Sequence, residues 1–314
     1  MLGKTANSIF WMYRYLERAE NTARLLEAGF RMALTRGVAA ANEEWRSVIV
    51  ALGLAQAYET WHEEYTGEQV CNFVLRDKEN ALSVLQMIEG ARNNARQSRT
   101  SITAEVWESV NECWMALKDV LARPLRESNL GTALMTIRRE TTLVRGATYG
   151  SMLRNDIYHF ARAGTFLERA DNTARILDVK YYLLLPSLAH VGSSLDTSQW
   201  ETVLRSLSAE RAYRWLNAGR MDSRSIADFL ILDRRFPRSL TFCYNELGLH
   251  LASLSREYGE ESQCNGLLRE AEERLSAATI DTIFDQGLHE FLLAFTFGNQ
   301  NIANAISDDY RFVD

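Results

Sequence analysis

The sequence of 314 residues contains little proline, little cysteine and no excess of positive charge. Its three prolines leave almost the whole chain free to form helix, because a proline inside a helix removes a backbone hydrogen bond. The 46% of hydrophobic residues supplies a large core and excludes global disorder. No segment alternates polar and apolar residues for long enough to form a sheet. We therefore expect an all-α protein.

The four cysteines lie far apart, with no Cys-x-x-Cys pair and no histidine at zinc-ligand spacing, so we expect reduced, structural thiols. A net charge of −6 with dispersed basic residues argues against nucleic-acid and anionic-membrane binding. No apolar run approaches the roughly 20 residues that span a bilayer. The first residues do not have the pattern of a secretory signal. A cytoplasmic protein is expected.

One helical motif is written twice in the sequence. The segment Tyr15–Glu27 reads YLERAENTARLLE and the segment Phe166–Asp178 reads FLERADNTARILD, with nine of 13 positions identical. A weaker echo follows each copy, since Asn80–Leu85 and Arg238–Cys243 both open long helical stretches after a turn-like segment. The repeat indicates duplication of a helical unit.

The spacing of 151 residues between the copies is too long for a solenoid period. We expect one helical body of about ten helices, built from two halves, approximately 1–150 and 151–314, about a pseudo-twofold axis. Caps and hydrophobic periodicity predict single helices over about 42–64, 198–218 and 280–297. No Pro/Ser-rich linker separates the halves.

Each copy of the motif places four polar side chains within one arc of its helix, since successive residues turn by about 100°. The two sets are Glu17, Glu20, Asn21, Arg24 and Glu168, Asp171, Asn172, Arg175. Arg18 and Arg169 border the apolar face of their helices, so we expect both to be unusually buried and bonded to carboxylates. Retention of the same polar residues in both copies indicates fixed partners.

Three readings of the motif remain open: a buried structural network near the pseudo-twofold axis, a site that handles a ligand, and an ordinary solvated face. We expect the two arcs to converge on one shared polar cleft. Carboxylates three residues apart on two helices also allow a hard cation, but the Glu-x-x-His signature of di-metal bundles is missing and arginines share the arcs. No metal is therefore predicted.

A second set of cations forms a stripe in the helix that begins near Asn80. Arg92, Arg96 and Arg99 are spaced to lie on one side of a helix, where they are able to hold a phosphate or a carboxylate or simply to form a basic solvated face. We include Arg96 among the candidate ligand-binding residues. No nucleotide-binding or nucleophile-elbow motif occurs, so no cofactor is predicted.

The doubled Leu-Glu-Arg-Ala-[Glu/Asp]-Asn-Thr-Ala-Arg motif resembles the alpha-E family, bacterial all-helical proteins with a repeated Glu-Arg motif. The resemblance extends through almost the whole chain, including Glu44–Ser47, Ala91–Arg96, Trp107–Asn111, Ser151–Arg154 and Phe236–Ser239. It implies association with a circularly permuted ATP-grasp protein and with transglutaminase-like and proteasome-like hydrolases. Association with these proteins implies a system that makes or modifies peptide amide bonds.

The leading functional hypothesis is therefore a component of an ATP-grasp ligase system with a charged cleft for a peptide, an amine or an acyl-phosphate intermediate. Glu17 and Glu168 would bind or deprotonate an amine. The residues expected to hold the ligand are Arg18, Asn21, Arg24, Arg96, Arg169, Asn172 and Arg175. The alternatives are a non-catalytic helical adaptor that docks the ATP-grasp protein and a carboxylate-bridged metalloenzyme.

Overall fold

The structure is a computed structural model that describes residues 3–34, 38–183, 194–217, 221–259 and 261–312. Over these residues it contains fifteen α-helices and no β-strand, which confirms the all-α prediction. The first eight helices are α1 (Gly3–Ala33), α2 (Val38–Ala51), α3 (Ala55–Glu59), α4 (Gly67–Arg76), α5 (Val84–Gln97), α6 (Ala104–Val120), α7 (Glu127–Ser151) and α8 (Asp156–Leu183). The others are α9 (Ser194–Ser206), α10 (Glu210–Leu216), α11 (Ser223–Ile231), α12 (Leu240–Tyr258), α13 (Gln263–Ala277), α14 (Ile280–Gln286) and α15 (Leu288–Asp309).

The prediction of about ten helices was wrong, because three predicted helices are each divided in two at a residue with positive φ. Gly53 has a φ of 70° between α2 and α3, and Ser208 has a φ of 55° between α9 and α10. Gly287, with a φ of 103°, separates α14 from α15. A left-handed residue cannot continue a right-handed helix, so each of these positions ends one.

Helix α4 was not predicted as a separate helix. Its N-cap is Thr66, whose hydroxyl accepts a hydrogen bond from the backbone N–H of Gln69 at 3.4 Å. The sequence Thr-x-x-Gln is a start signal for a helix, since the hydroxyl satisfies an N–H that has no partner in the first turn. Helices α5 and α12 begin within Asn80–Leu85 and Arg238–Cys243, the two segments that the weaker echo predicted to open long helices. The hydroxyl of Ser239 caps α12 by accepting a hydrogen bond from the backbone N–H of Phe242 at 3.0 Å.

The chain divides into two compact units, Met1–Thr165 with Tyr310–Asp314, and Phe166–Asp309. The division falls inside α8, between Thr165 and Phe166, rather than near residue 150. The predicted single body with a pseudo-twofold axis therefore stays a prediction.

The first unit is built on a four-helix bundle. Helix α1 packs against α5 and α7, and α6 packs against the same two helices, so the four contacts form a closed ring. Helices α2 and α4 cover a further side of α1. Because α1 is covered on several sides, nearly fully buried apolar residues such as Leu26, Ile9 and Phe10, which follow one another at about 100° around the helix axis, cover more than half of its circumference.

The beginning of α8 also belongs to the first unit, where it approaches α1 closely at Gly164. A β-carbon at this position would lie 2.4 Å from the carbonyl oxygen of Phe10. The aromatic rings of Phe10, Phe160 and Phe312 pack beside this contact, with Phe312 at 5.4 Å and 6.0 Å from the other two. The absence of a side chain at Gly164 therefore sets the distance between α8 and α1.

The second unit contains a similar ring of helices. Helix α13 packs against α12 and α15. The part of α8 beyond Phe166 contacts α12 through the Phe166 and Phe242 rings, 6.1 Å apart, and contacts α15 through the Asn299 amide, which donates to the Leu167 carbonyl at 3.2 Å. Helix α9 contacts α10 and α11, and α11 contacts α12 and α14.

None of the helices in the described segments is both long enough and apolar enough to cross a bilayer. All four cysteines are buried free thiols, in agreement with the predicted structural role. Burial raises the pKa of the Cys71 and Cys113 thiols to about 12, so neither forms the reactive thiolate near neutral pH.

Replacing Gly164 with alanine is expected to lower the free energy of unfolding by about 1–3 kcal/mol, because the new methyl group overlaps the Phe10 carbonyl. Gly146 in α7 is the matched control, since a β-carbon there meets no atom within 4 Å. Gly146→Ala is expected to be neutral or to stabilise by up to about 1 kcal/mol through helix propensity. Urea denaturation of both variants tests the contrast, and equal effects would contradict it.

Candidate functional site

The first copy of the motif lies on α1, on the side that faces α7. The side chains of Glu17, Glu20 and Asn21 are buried, with whole-residue exposures of 2%, 0% and 2%. Arg18 is half-buried, so the expectation of unusual burial is not met at this residue. A carboxylate without solvent needs cations or several hydrogen-bond donors around it, because burial penalises its charged form.

Arg145 of α7 supplies a cation to both buried carboxylates. One terminal nitrogen, Nη1, lies 3.0 Å from Glu17 Oε2, and the other, Nη2, pairs with Glu20 Oε2. Arg24, one turn along α1 from Glu20, donates to Glu20 Oε1 through Nε at 2.9 Å and Nη2 at 2.6 Å. Glu20 is therefore held by two guanidinium groups, one from its own helix and one from α7.

The polar contacts continue along α1 and α7 in both directions. Tyr13 Oη lies 2.5 Å from Thr148 Oγ1, and burial raises the pKa of this tyrosine above its usual value. Glu27 pairs with Arg138 and with Arg31, the latter at 2.9 Å. We call this line of contacts between α1 and α7 the α1–α7 seam. It holds α1 in register along α7.

Sequence reasoning missed both α7 cations, although a signal for them exists. Glu20 and Glu27 are seven residues apart on α1, and Arg138 and Arg145 are seven residues apart on α7. The pairs run in opposite directions, as expected for antiparallel helices that pack along a common line. Matching heptad spacings of opposite charge would have predicted the seam.

The second copy of the motif lies on α8 and makes different contacts. Arg169 is 8% exposed, which confirms its predicted burial, and its Nη1 donates to the Pro237 carbonyl at 3.3 Å. Its guanidinium carbon also lies 5.4 Å from the centre of the Phe166 ring. Thr173 Oγ1 donates to the Arg238 carbonyl at 2.8 Å. These contacts attach α8 to the turn that precedes α12.

The polar arc of the second copy is only partly enclosed. Glu168 is 2% exposed, whereas Asn172 is half-buried. Arg175 Nε donates to Asp171 Oδ2 at 2.7 Å, and the two side chains are 45% and 15% exposed, respectively. The second copy therefore contains an ion pair like that of Glu20 and Arg24, but its arginine lies open to water, unlike Arg24 with an exposure of 14%.

Among the remaining candidates, Arg96 is exposed on α5. Two neighbouring arginines lie against tryptophans of α6. The guanidinium of Arg92, on α5, lies 4.3 Å from the Trp114 ring, and that of Arg99, just beyond the end of α5, lies 5.4 Å from the Trp107 ring. Arg92 Nε also donates to Asn111 Oδ1 at 2.8 Å. The predicted ligand-binding role of Arg96 stays a prediction, as does convergence of the two motif arcs on a shared cleft.

Within the described parts of the chain, no group of three histidine, cysteine, aspartate or glutamate side chains is placed to hold a metal ion. The two buried carboxylates of the first motif have guanidinium groups against the oxygens that a hard cation would need. The geometry of this motif therefore favours ion pairing over metal coordination.

A family model described as a predicted alpha-helical domain with a conserved ER motif matches residues 1–310. The chain belongs to the Alpha-E family. The dipeptides Glu17-Arg18 and Glu168-Arg169 within the repeated motif fit the Glu-Arg description. No curated protein and no solved structure shows significant similarity to this Alpha-E chain.

Arg145→Met is expected to lower the free energy of unfolding by about 3 kcal/mol or more, because it removes one partner from buried ion pairs. Arg138→Met is the matched control on the same helix, since Arg138 and Glu27 are 36% and 30% exposed. An exposed pair contributes less than about 1 kcal/mol. Urea denaturation at neutral pH compares the two, and a loss at Arg138 as large as that at Arg145 would contradict the interpretation.

Proposed function

We propose that this Alpha-E protein is a non-catalytic helical adaptor that docks a cytoplasmic ATP-grasp ligase in a system that forms or modifies peptide amide bonds. The ligase association comes from the resemblance to the alpha-E family. An ATP-grasp ligase activates a carboxylate as an acyl phosphate that an amine then attacks, so the adaptor contributes a scaffold rather than the bond-forming step.

The burial of Glu20 carries the adaptor proposal. This carboxylate is 0% exposed, and guanidinium groups lie on both of its oxygens. A carboxylate that receives a proton or an amine from a substrate must be within hydrogen-bond reach of it. Glu17 shares Arg145 with Glu20 and is equally enclosed, which supports a structural role for the first motif in place of the catalytic role expected for Glu17.

We also infer that the two units descend from one duplicated helical unit. Left-handed residues occur at corresponding places, Gly53 after α2 and Ser208 after α9. The Tyr58 ring lies 5.1 Å from Phe73, and Tyr213 lies 5.5 Å from Phe229. These correspondences support a repeat that extends beyond the motif helix. A superposition of the two units on an experimental structure tests the inference and the predicted pseudo-twofold relation.

A second candidate function is a ligand site at the second copy of the motif. The exposure of Arg175 and the half-burial of Asn172 favour it, because this arc is accessible where the first is enclosed. Arg175 and Asn172 would then hold a carboxylate or a phosphate. Glu168 is 2% exposed, as enclosed as Glu17, so in this site it would position the arc rather than contact the ligand. The peptide, amine or acyl-phosphate intermediate of the ligase is the corresponding ligand.

The proposal predicts that the chain forms a stable complex with a circularly permuted ATP-grasp protein of the kind that the family resemblance implies, and that it changes the ATP turnover of that protein. In that complex Glu17→Gln and Glu168→Gln are expected to leave ATP turnover unchanged, at a temperature where both variants are folded. Size-exclusion chromatography with light scattering measures the complex, and phosphate release measures turnover.

Loss of turnover in Glu168→Gln, with an intact complex and an unchanged melting temperature, would instead establish the second candidate. Loss of turnover in a folded Glu17→Gln variant would contradict the structural role of the first motif. Failure to form any complex would overturn the adaptor proposal itself.

A further inference from the structure

The second unit contains a cleft of about 290 Å³ that the motif does not use. Residues of α13, α14 and α15 line it, together with Tyr244 of α12. Small-molecule sites occupy about 300–1,000 Å³, so this cleft has room for one group of amino-acid size.

The walls of the cleft are mainly apolar and aromatic. Leu275, Ile283, Phe291 and Phe295 line it, and the Phe295 ring stacks on Tyr244 with the ring centres 4.7 Å apart. The Tyr244 hydroxyl donates to Asn299 Oδ1 at 3.2 Å, so it is already engaged within the protein. This surface fits an aromatic or large aliphatic side chain.

One cation lies at the cleft. Arg274, in the last turn of α13, is the sole charged residue among the described residues that line the cleft. Among the residues that the structure describes, no carboxylate lies within 4.0 Å of the Arg274 guanidinium, whereas nearby Arg224 pairs with Asp281. Gln286 places an amide at the same cleft. A guanidinium beside an apolar surface favours a ligand that ends in a carboxylate.

We propose that this cleft binds the C-terminal residue of a peptide, with a large apolar side chain packed against Phe291 and Phe295 and its carboxylate on Arg274. The Gln286 amide is available to the last peptide group. A free amino acid fits less well, because its ammonium group would meet no carboxylate among the lining residues.

The inference goes beyond the proposed function and does not depend on it, since it concerns direct binding to the isolated chain. A C-terminal peptide site would let the protein hold a peptide whether or not a ligase is bound. Failure of ligase docking would leave the peptide site standing, and absence of peptide binding would leave the adaptor proposal standing.

The experiment uses N-acetyl-Gly-Gly-(4-fluoro)Phe with a free carboxylate as the probe, titrated with the full chain and followed by fluorine NMR. Two further probes separate the contribution of the carboxylate from that of the peptide group. They are the same peptide with a C-terminal amide, and free 4-fluorophenylalanine. Both are expected to bind about tenfold more weakly than the acid peptide, since each removes or opposes a charge-assisted contact.

Two variants test the site itself. Arg274→Gln is expected to weaken the acid peptide about tenfold and to leave the amide peptide unchanged. Gly298→Leu is expected to abolish binding of every probe, because a β-carbon at Gly298 meets no atom within 4 Å and the larger side chain fills the cleft. Gly146→Leu, at an equally open glycine of α7, is the control and should bind as the parent does.

Thermal melting of each variant checks that it is folded. Binding that survives Gly298→Leu in the folded variant would overturn the cleft as the site. Equal affinity for acid and amide peptides would overturn the role of Arg274, and free 4-fluorophenylalanine binding as tightly as the peptide would overturn the assignment to peptides.

Discussion

The burial of the Glu20 carboxylate between α1 and α7 is the constraint on which the first unit depends. A charged group that has lost its water must be surrounded by cations, and Arg24 and Arg145 meet this need from two helices. Since Arg145 can reach both Glu17 and Glu20 in only one alignment of α7, the ion pairs select a register that apolar packing alone would leave less defined. Burial of this kind specifies structure more than it adds stability.

Much of the fold follows from the sequence because the helical signals act locally. The small number of prolines and the helical periodicity of the apolar residues predict the long helices without tertiary information. The break at Ser208 is different, because a left-handed φ is uncommon for serine and the residue type does not signal it. Glycine often ends a helix, so Gly53 and Gly287 did mark their breaks in the sequence. Helix α4 has a cap signal at Thr66 in the sequence, but the helix has only 10 residues, so its hydrophobic periodicity is too short to be recognised.

The candidate site was only half predictable for a related reason. The motif identified Glu17, Asn21 and Arg24 and their shared arc, since an arc is a property of one helix. Arg145, the partner of Glu17, lies 128 residues away in the sequence. Only the matched spacing of charges on α1 and α7 indicates that the two residues meet. Arg169 is predictable only in part for the same reason. Its burial follows from its position on the helix, but its hydrogen bond to the Pro237 carbonyl depends on how the turn before α12 packs against α8.

The two motif copies place the same residues in different surroundings. At a spacing of 151 residues, Asp178 corresponds to Glu27 and His289 corresponds to Arg138. Asp178 contacts His289, just as Glu27 contacts Arg138. The position that corresponds to Arg145 is Thr296, whose hydroxyl donates to the Leu292 carbonyl of its own helix at 2.8 Å. A threonine cannot bridge two carboxylates as a guanidinium does. The second copy is therefore organised without that central cation, and its Asp171–Arg175 pair is correspondingly more open to water than Glu20–Arg24. Two closely similar motifs thus form buried carboxylates held by arginines in one unit and a partly exposed polar arc in the other.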